Sequence, residues 1–100
     1  MFDKLKQFFE VKPRVSFGDL LAKGAVVVDV RSRSEFAAGH FPDALNLPLQ
    51  KLQNGELKLP KDKAIITCCA SGMRSATAKK WLDENGYTTV VNAGPWQNLF

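Results

Sequence analysis

The run Ala25-Val26-Val27-Val28-Asp29-Val30 constrains the fold more than any other stretch of the chain. Valines side by side suit an extended strand and lose rotamer freedom in a helix. A run without polar alternation fits a strand covered on both faces, as in a parallel sheet flanked by helices. Lys63-Ala64-Ile65-Ile66-Thr67-Cys68 is a second run of this kind. Helical stretches lie around them. Residues 17–23 follow the cap candidate Ser16 and stop at Gly24, and residues 34–38 close at Gly39. Residues 75–84 carry Ala78, Trp81 and Leu82 as an inward stripe, with Asn85-Gly86 as the stop signal. Short strands are expected to start at Val15 and to cover residues 44–47 and 88–91. Asn54-Gly55 marks a turn, and Gly94-Pro95 turns the chain into a short tail. Strand and helix alternate, which predicts an open α/β sheet that binds ligands beyond the carboxyl ends of its strands.

A chain of 100 residues has room for one core. Phe2, Leu5, Phe8 and Phe9 share one face of a short helix, so residues 1–12 read as an amphipathic arm and residues 13–100 as the domain. No apolar stretch is long enough to span a bilayer, and the N-terminus lacks the pattern of a secretory signal, so a cytoplasmic protein is expected. The net charge of +4 comes from scattered lysines and arginines, with no basic stripe interleaved with aromatics. That argues against nucleic acid as a partner and suits a small anionic substrate.

The chain's two cysteines, Cys68 and Cys69, are adjacent, and its one histidine is His40. Neighbouring cysteines close only a strained ring, and no metal-ligand spacing is present, so two free thiols and no metal are expected. The stretch Cys69-Ala70-Ser71-Gly72-Met73-Arg74-Ser75 leads from a strand into a helix. Such a loop presents backbone amides without internal partners, and if it curls they converge on one point that favours negative charge. A thiolate there is stabilised. Gly72 permits the turn, and Arg74 can hold an anion by a forked pair of bonds.

These residues give the chain its resemblance to single-domain rhodaneses, a family of sulfurtransferases. Val28-Asp29-Val30-Arg31 continues through Glu35-Phe36 and Gly39-His40-Phe41-Pro42 to Ala44-Leu45-Asn46-Leu47-Pro48. The second motif is the loop from Cys69 to Ser75, followed by Gly86-Tyr87, Val91 and Trp96. The resemblance implies a rhodanese-like open parallel sheet of about five strands with helices on both faces. It also implies catalysis by Cys69 cycling between thiolate and persulfide, with Ala70, Ser71, Gly72, Met73, Arg74 and Ser75 binding substrate and no cofactor. The implied partners are a small anionic sulfur donor such as thiosulfate, a thiophilic acceptor and a sulfur-relay protein. Where relatives often carry a basic residue this chain has Ala70, and Met73 replaces a common polar residue, which leaves the donor open.

Asp29, Arg31 and Glu35 read as a charge-paired structural network, and His40 as a loop-holding residue. Two rival functions remain. Counted from Cys68, the loop has the C-x5-R spacing of cysteine phosphatases and arsenate reductases, although no acid is marked for the leaving group. A carrier module would pass persulfide sulfur to a partner protein, with Cys68 as a possible resolving thiol.

Overall fold

The computed structural model describes residues 16–100. The expected arm over residues 1–12 and the strand expected at Val15 lie outside them. The Ser16 side chain accepts the Asp19 amide at 3.0 Å and starts helix α1, Phe17–Ala22. The valine run forms β1, Val26–Asp29. Helix α2, Arg33–Ala38, begins at a capping box: Ser32 accepts the Glu35 amide while the Glu35 carboxylate accepts the Ser32 amide. Strand β2 is Leu45–Asn46, and α3 is the short helix Leu49–Gln53, which sequence reading missed. Strand β3, Ile65–Cys69, leads to α4, Met73–Glu84. Strand β4, Val90–Pro95, passes into a 3-10 turn, Trp96–Leu99.

The described residues form a four-stranded parallel sheet, ordered β2-β1-β3-β4, against the expected count of about five. The chain runs outward from β1 to the edge strand β2, then crosses back to β3 and β4. That reversal puts the topological switch point between β1 and β3, where a crevice opens beyond the carboxyl ends of adjacent strands. Asp29 ends β1 and Cys69 ends β3.

Helices cover both faces. Val28, Ile65 and Cys69 point toward α3 and α4, where Leu52, Ala78 and Leu82 are buried. Val27, Ile66 and Cys68 point the other way, toward Ala93 and Leu99, with Phe17, Leu20 and Leu21 of α1 packed against them. The period of two along a strand thus sends the adjacent cysteines to opposite sides of the sheet. Trp81, expected in the buried stripe of α4, packs against the core but is only partly buried.

Two boundaries differ from expectation for local reasons. Helix α4 starts at Met73, not Ser75, because Gly72 takes the cap position in a left-handed conformation, φ 105° and ψ −12°. Strand β4 extends to Pro95, where a turn at Gly94-Pro95 was expected. It contains a bulge: Thr67 pairs with Asn92 but Cys68 with Gly94, so Ala93 is the extra residue.

Candidate active site

Cys69 is the last residue of β3, and the chain behind it curls back over its sulfur. The Gly72 amide donates to Cys69 Sγ at 2.9 Å and the Ser75 amide at 3.3 Å, with Ser75 Oγ at 3.2 Å. Burial alone raises the thiol's pKa. The Ser75 hydroxyl and the amides of Ser75, Gly72 and Ser71 outweigh burial and bring it below the ordinary thiol value. Cys69 is fully covered, and the exposed loop residues are Ala70, Ser71 and Met73.

The cradle's shape depends on residues outside the loop. A Cβ on Gly72 would stand 3.4 Å from the Gly94 backbone, in a conformation that side chains rarely adopt. The buried Thr67 hydroxyl donates to the Ser75 carbonyl at 3.0 Å and lies 3.3 Å from Asn92 Oδ1, which accepts the Gly94 amide at 2.9 Å. Strand β3, the start of α4 and the bulge of β4 are thereby tied together behind the sulfur. Sequence reading missed Thr67 and Asn92. The available signal was a lone hydroxyl residue within an apolar strand, two positions before the cysteine.

Ser75 is buried and its hydroxyl also lies 3.2 Å from the Gly72 carbonyl. One hydroxyl proton therefore serves two acceptors. A thiolate has no proton to donate, so once Cys69 ionises the contact with Ser75 holds only with the hydroxyl as donor. Ser75→Ala removes this donor and is expected to move the pH midpoint of Cys69 alkylation upward. The thiolate-dependent rate at neutral pH should fall roughly tenfold, the scale of a hydrogen bond to a charged group. Iodoacetamide labelling across pH, read by intact mass, measures the shift.

Cys68 has the opposite environment. It is fully buried on the α1 face, and burial, with the charge of Asp29 beside it, pushes its thiol up to about 12. Among the described residues no loop amide reaches its sulfur, so it lacks the cradle that a phosphatase nucleophile needs. The sheet also separates it from Cys69 Sγ, which argues against a resolving role.

The charged residues of the first motif split into two groups. Asp29 and Arg31 form a buried forked pair: Arg31 Nη2 meets Asp29 Oδ2 at 2.8 Å and Nε meets Oδ1 at 2.9 Å. Arg31 also donates to the Gly39 carbonyl at 2.7 Å and the Glu35 carbonyl at 3.3 Å, which holds the end of α2. The His40 ring stacks on Phe36 at 3.7 Å, and its Nδ1 lies 2.8 Å from the Phe36 carbonyl. Glu35 departs from the expected network. Its carboxylate reaches across to Arg74, with Nη1–Oε1 at 2.7 Å and Nη2–Oε2 at 3.0 Å, so the guanidinium expected to fork onto substrate is forked onto Glu35.

A surface concavity lined by Leu21, Ala25, Val26, Val27, Phe41, Pro42 and Asp43 lies on the α1 side of the sheet. It holds no nucleophile.

Residues 15–94 match the family described as the rhodanese-like domain. The chain belongs to the rhodanese-like family. This rhodanese-like chain is 39% identical over 67 residues to a sulfurtransferase of Allochromatium vinosum, covering 67% of this chain and 63% of that one. It is 36% identical over 74 residues to the tRNA uridine(34) hydroxylase of Erwinia tasmaniensis, covering 68% of this chain but 21% of the relative. Among solved structures, the human single-domain sulfurtransferase TSTD1 superposes with a TM-score of 0.74 at 32% identity, covering 86% of this chain and 93% of that one. The rhodanese-like domain thus spans less than two thirds of the two curated relatives' lengths. No helix among its described residues is long and apolar enough to cross a membrane.

Proposed function

We propose that this domain is a sulfurtransferase that carries sulfane sulfur as a persulfide on Cys69. The observation that carries the reading is the convergence of the Gly72 and Ser75 amides and the Ser75 hydroxyl on Cys69 Sγ. The cradle holds a stabilised thiolate at the switch point of a parallel sheet. In the first half-reaction the Cys69 thiolate attacks the outer sulfur of thiosulfate or of a persulfide. A new S–S bond forms on Cys69, and sulfite or the donor thiolate leaves with the electron pair of the broken bond. In the second, a thiophilic acceptor attacks the terminal sulfur, and the Cys69 thiolate is the leaving group. Thiocyanate forms with cyanide, and a new persulfide forms with a thiol. The loop amides compensate negative charge in both steps. The chemistry needs reduced thiols and suits a cytoplasmic setting.

The test is mass spectrometry of the intact protein after thiosulfate or an alkyl persulfide. One added sulfur atom, mapped to Cys69 and discharged by cyanide, is the expected result. A phosphoenzyme on Cys68 from an aryl phosphate, with no sulfur adduct on Cys69, would overturn the reading. Discharge only to a protein thiol would make the domain a relay module and not a free-standing enzyme.

A further inference from the structure

We propose that Glu35 sets the donor class of this site: by occupying both terminal nitrogens of Arg74, it leaves the loop from Cys69 to Ser75 without a free cation of its own and favours persulfide donors over thiosulfate. The inference rests on the Cys69 persulfide reading and deepens it. From Cys69 to Ser75 the loop contains one ionisable side chain besides the cysteine, Arg74. Ala70 and Met73 carry no charge, and Met73 is 76% exposed, so the neighbouring position adds apolar surface. The loop's attraction for a dianion therefore comes from Arg74 and the backbone amides. The amides of Gly72 and Ser75 are aimed at the nucleophile's own sulfur.

Arg74 is not free to add its charge. Both terminal nitrogens meet both oxygens of Glu35 in a forked pair, at 2.7 and 3.0 Å. Glu35 is itself held in place. The capping box fixes its carboxylate through the Ser32 amide at 3.0 Å and the Ser32 hydroxyl at 3.1 Å, so rotation away from Arg74 gives up those bonds too. Arg74 and the Ser32 amide hold the Glu35 carboxyl at about 2, so the clamp stays charged throughout the neutral range.

Thiosulfate, with two negative charges, has to compete with an anchored carboxylate for Arg74. If it stays outside the clamp, it meets a pair of zero net charge. An alkyl persulfide carries at most one charge on its sulfur chain and an apolar substituent that can lie against Met73. Its outer sulfur passes to the Cys69 thiolate, and the alkyl thiolate departs with the bonding electrons. That step places no dianion at the clamp, whereas the thiosulfate step releases sulfite there.

The experiment measures second-order rate constants for Cys69 persulfidation by thiosulfate and by an alkyl persulfide, using rapid quench and intact mass. Wild type and Glu35→Gln are compared. Glutamine serves as well as glutamate in a capping box, and a half-exposed ion pair adds little stability, so Glu35→Gln is expected to keep the fold. Freeing one positive charge about 6 Å from a dianion in water-like surroundings raises the thiosulfate constant about tenfold, and a singly charged persulfide's about threefold. The ratio of the two constants therefore moves toward thiosulfate. The gain should shrink at high salt, whereas the wild-type thiosulfate rate should depend only weakly on salt. In an Arg74→Gln background, Glu35→Gln should bring thiosulfate use no higher than wild type.

Ala70→Lys supplies an independent arm, because it adds a cation at an exposed loop position without touching the clamp. It too should raise thiosulfate use relative to persulfide. An unchanged or lower ratio in both Glu35→Gln and Ala70→Lys overturns the inference, and so does a thiosulfate constant above wild type in the variant that carries both Arg74→Gln and Glu35→Gln. Those results leave the persulfide on Cys69 intact. Failure of either donor to place sulfur on wild-type Cys69 would instead remove the proposed function, and this inference with it.

Discussion

Cys69→Ser is expected to abolish persulfide formation and thiocyanate release, whereas Cys68→Ala keeps most of both. A serine hydroxyl does not ionise near neutral pH, and an alkoxide is a poor carrier of sulfane sulfur, so the cradle amides would have no thiolate to stabilise. Cys68 differs although it is the adjacent residue. Its side chain lies on the α1 face beside Ile66 and Ala93, and its thiol is pushed up to about 12. Cys68→Ala should therefore show its effect in stability, as the loss of a small buried group. A cyanide-coupled thiocyanate assay and a thermal melt on both variants separate the two outcomes. Equal loss of activity in Cys68→Ala at a temperature where it is folded would refute the division of roles.

Asp29→Ala is expected to be the most destabilising single change. Asp29 is fully buried and Arg31 is 5% exposed, so the substitution strands a guanidinium where water cannot replace the lost partner. Breaking such a buried pair costs about 3–5 kcal/mol. A domain of this size loses roughly 4 °C or more per kcal/mol, so Tm should fall by more than about 12 °C. The Lys79–Asp83 pair makes a useful control. It is shorter, at 2.6 Å, yet lies one helical turn apart with side chains 38% and 45% exposed. Asp83→Ala should cost less than about 1 kcal/mol, because burial and not distance decides the effect. Calorimetry of both variants tests the contrast. A similar small shift in the two would mean that Arg31 finds other partners.

The sheet was legible because it rests on local composition. The valine and isoleucine runs mark β1 and β3 as strands covered on both faces, and Gly72 marks where the backbone must leave the strand direction. The start of α2, expected at Ser34, falls one residue earlier at Arg33, and the Ser32-x-x-Glu35 capping box that fixes it went unread although its signal is local. What stayed hidden depends on contacts distant in sequence. Glu35 and Arg74 are 39 residues apart, and nothing local to either says that the carboxylate turns from Arg31 to the loop. The bulge at Ala93 arises from pairing with β3, and in isolation Gly94-Pro95 has only the composition of a turn. Helix α3 has five residues and buries Leu52 alone, too short a pattern for periodicity to show.

The bulge of β4 bears on whether the site can be moved. Ala93, as the extra residue, brings Gly94 opposite Cys68 and against the back of Gly72, while Asn92 reaches the Thr67 hydroxyl that braces Ser75. Residues 69–75 supply the amides, but residues 92–94 and Thr67 give them their curvature. Grafted alone onto another strand–helix junction, the seven-residue loop would carry its sequence without its shape. A working transplant needs the two neighbouring strands and the helix between them, so the smallest portable piece of this chemistry is a βαβ unit and not a loop.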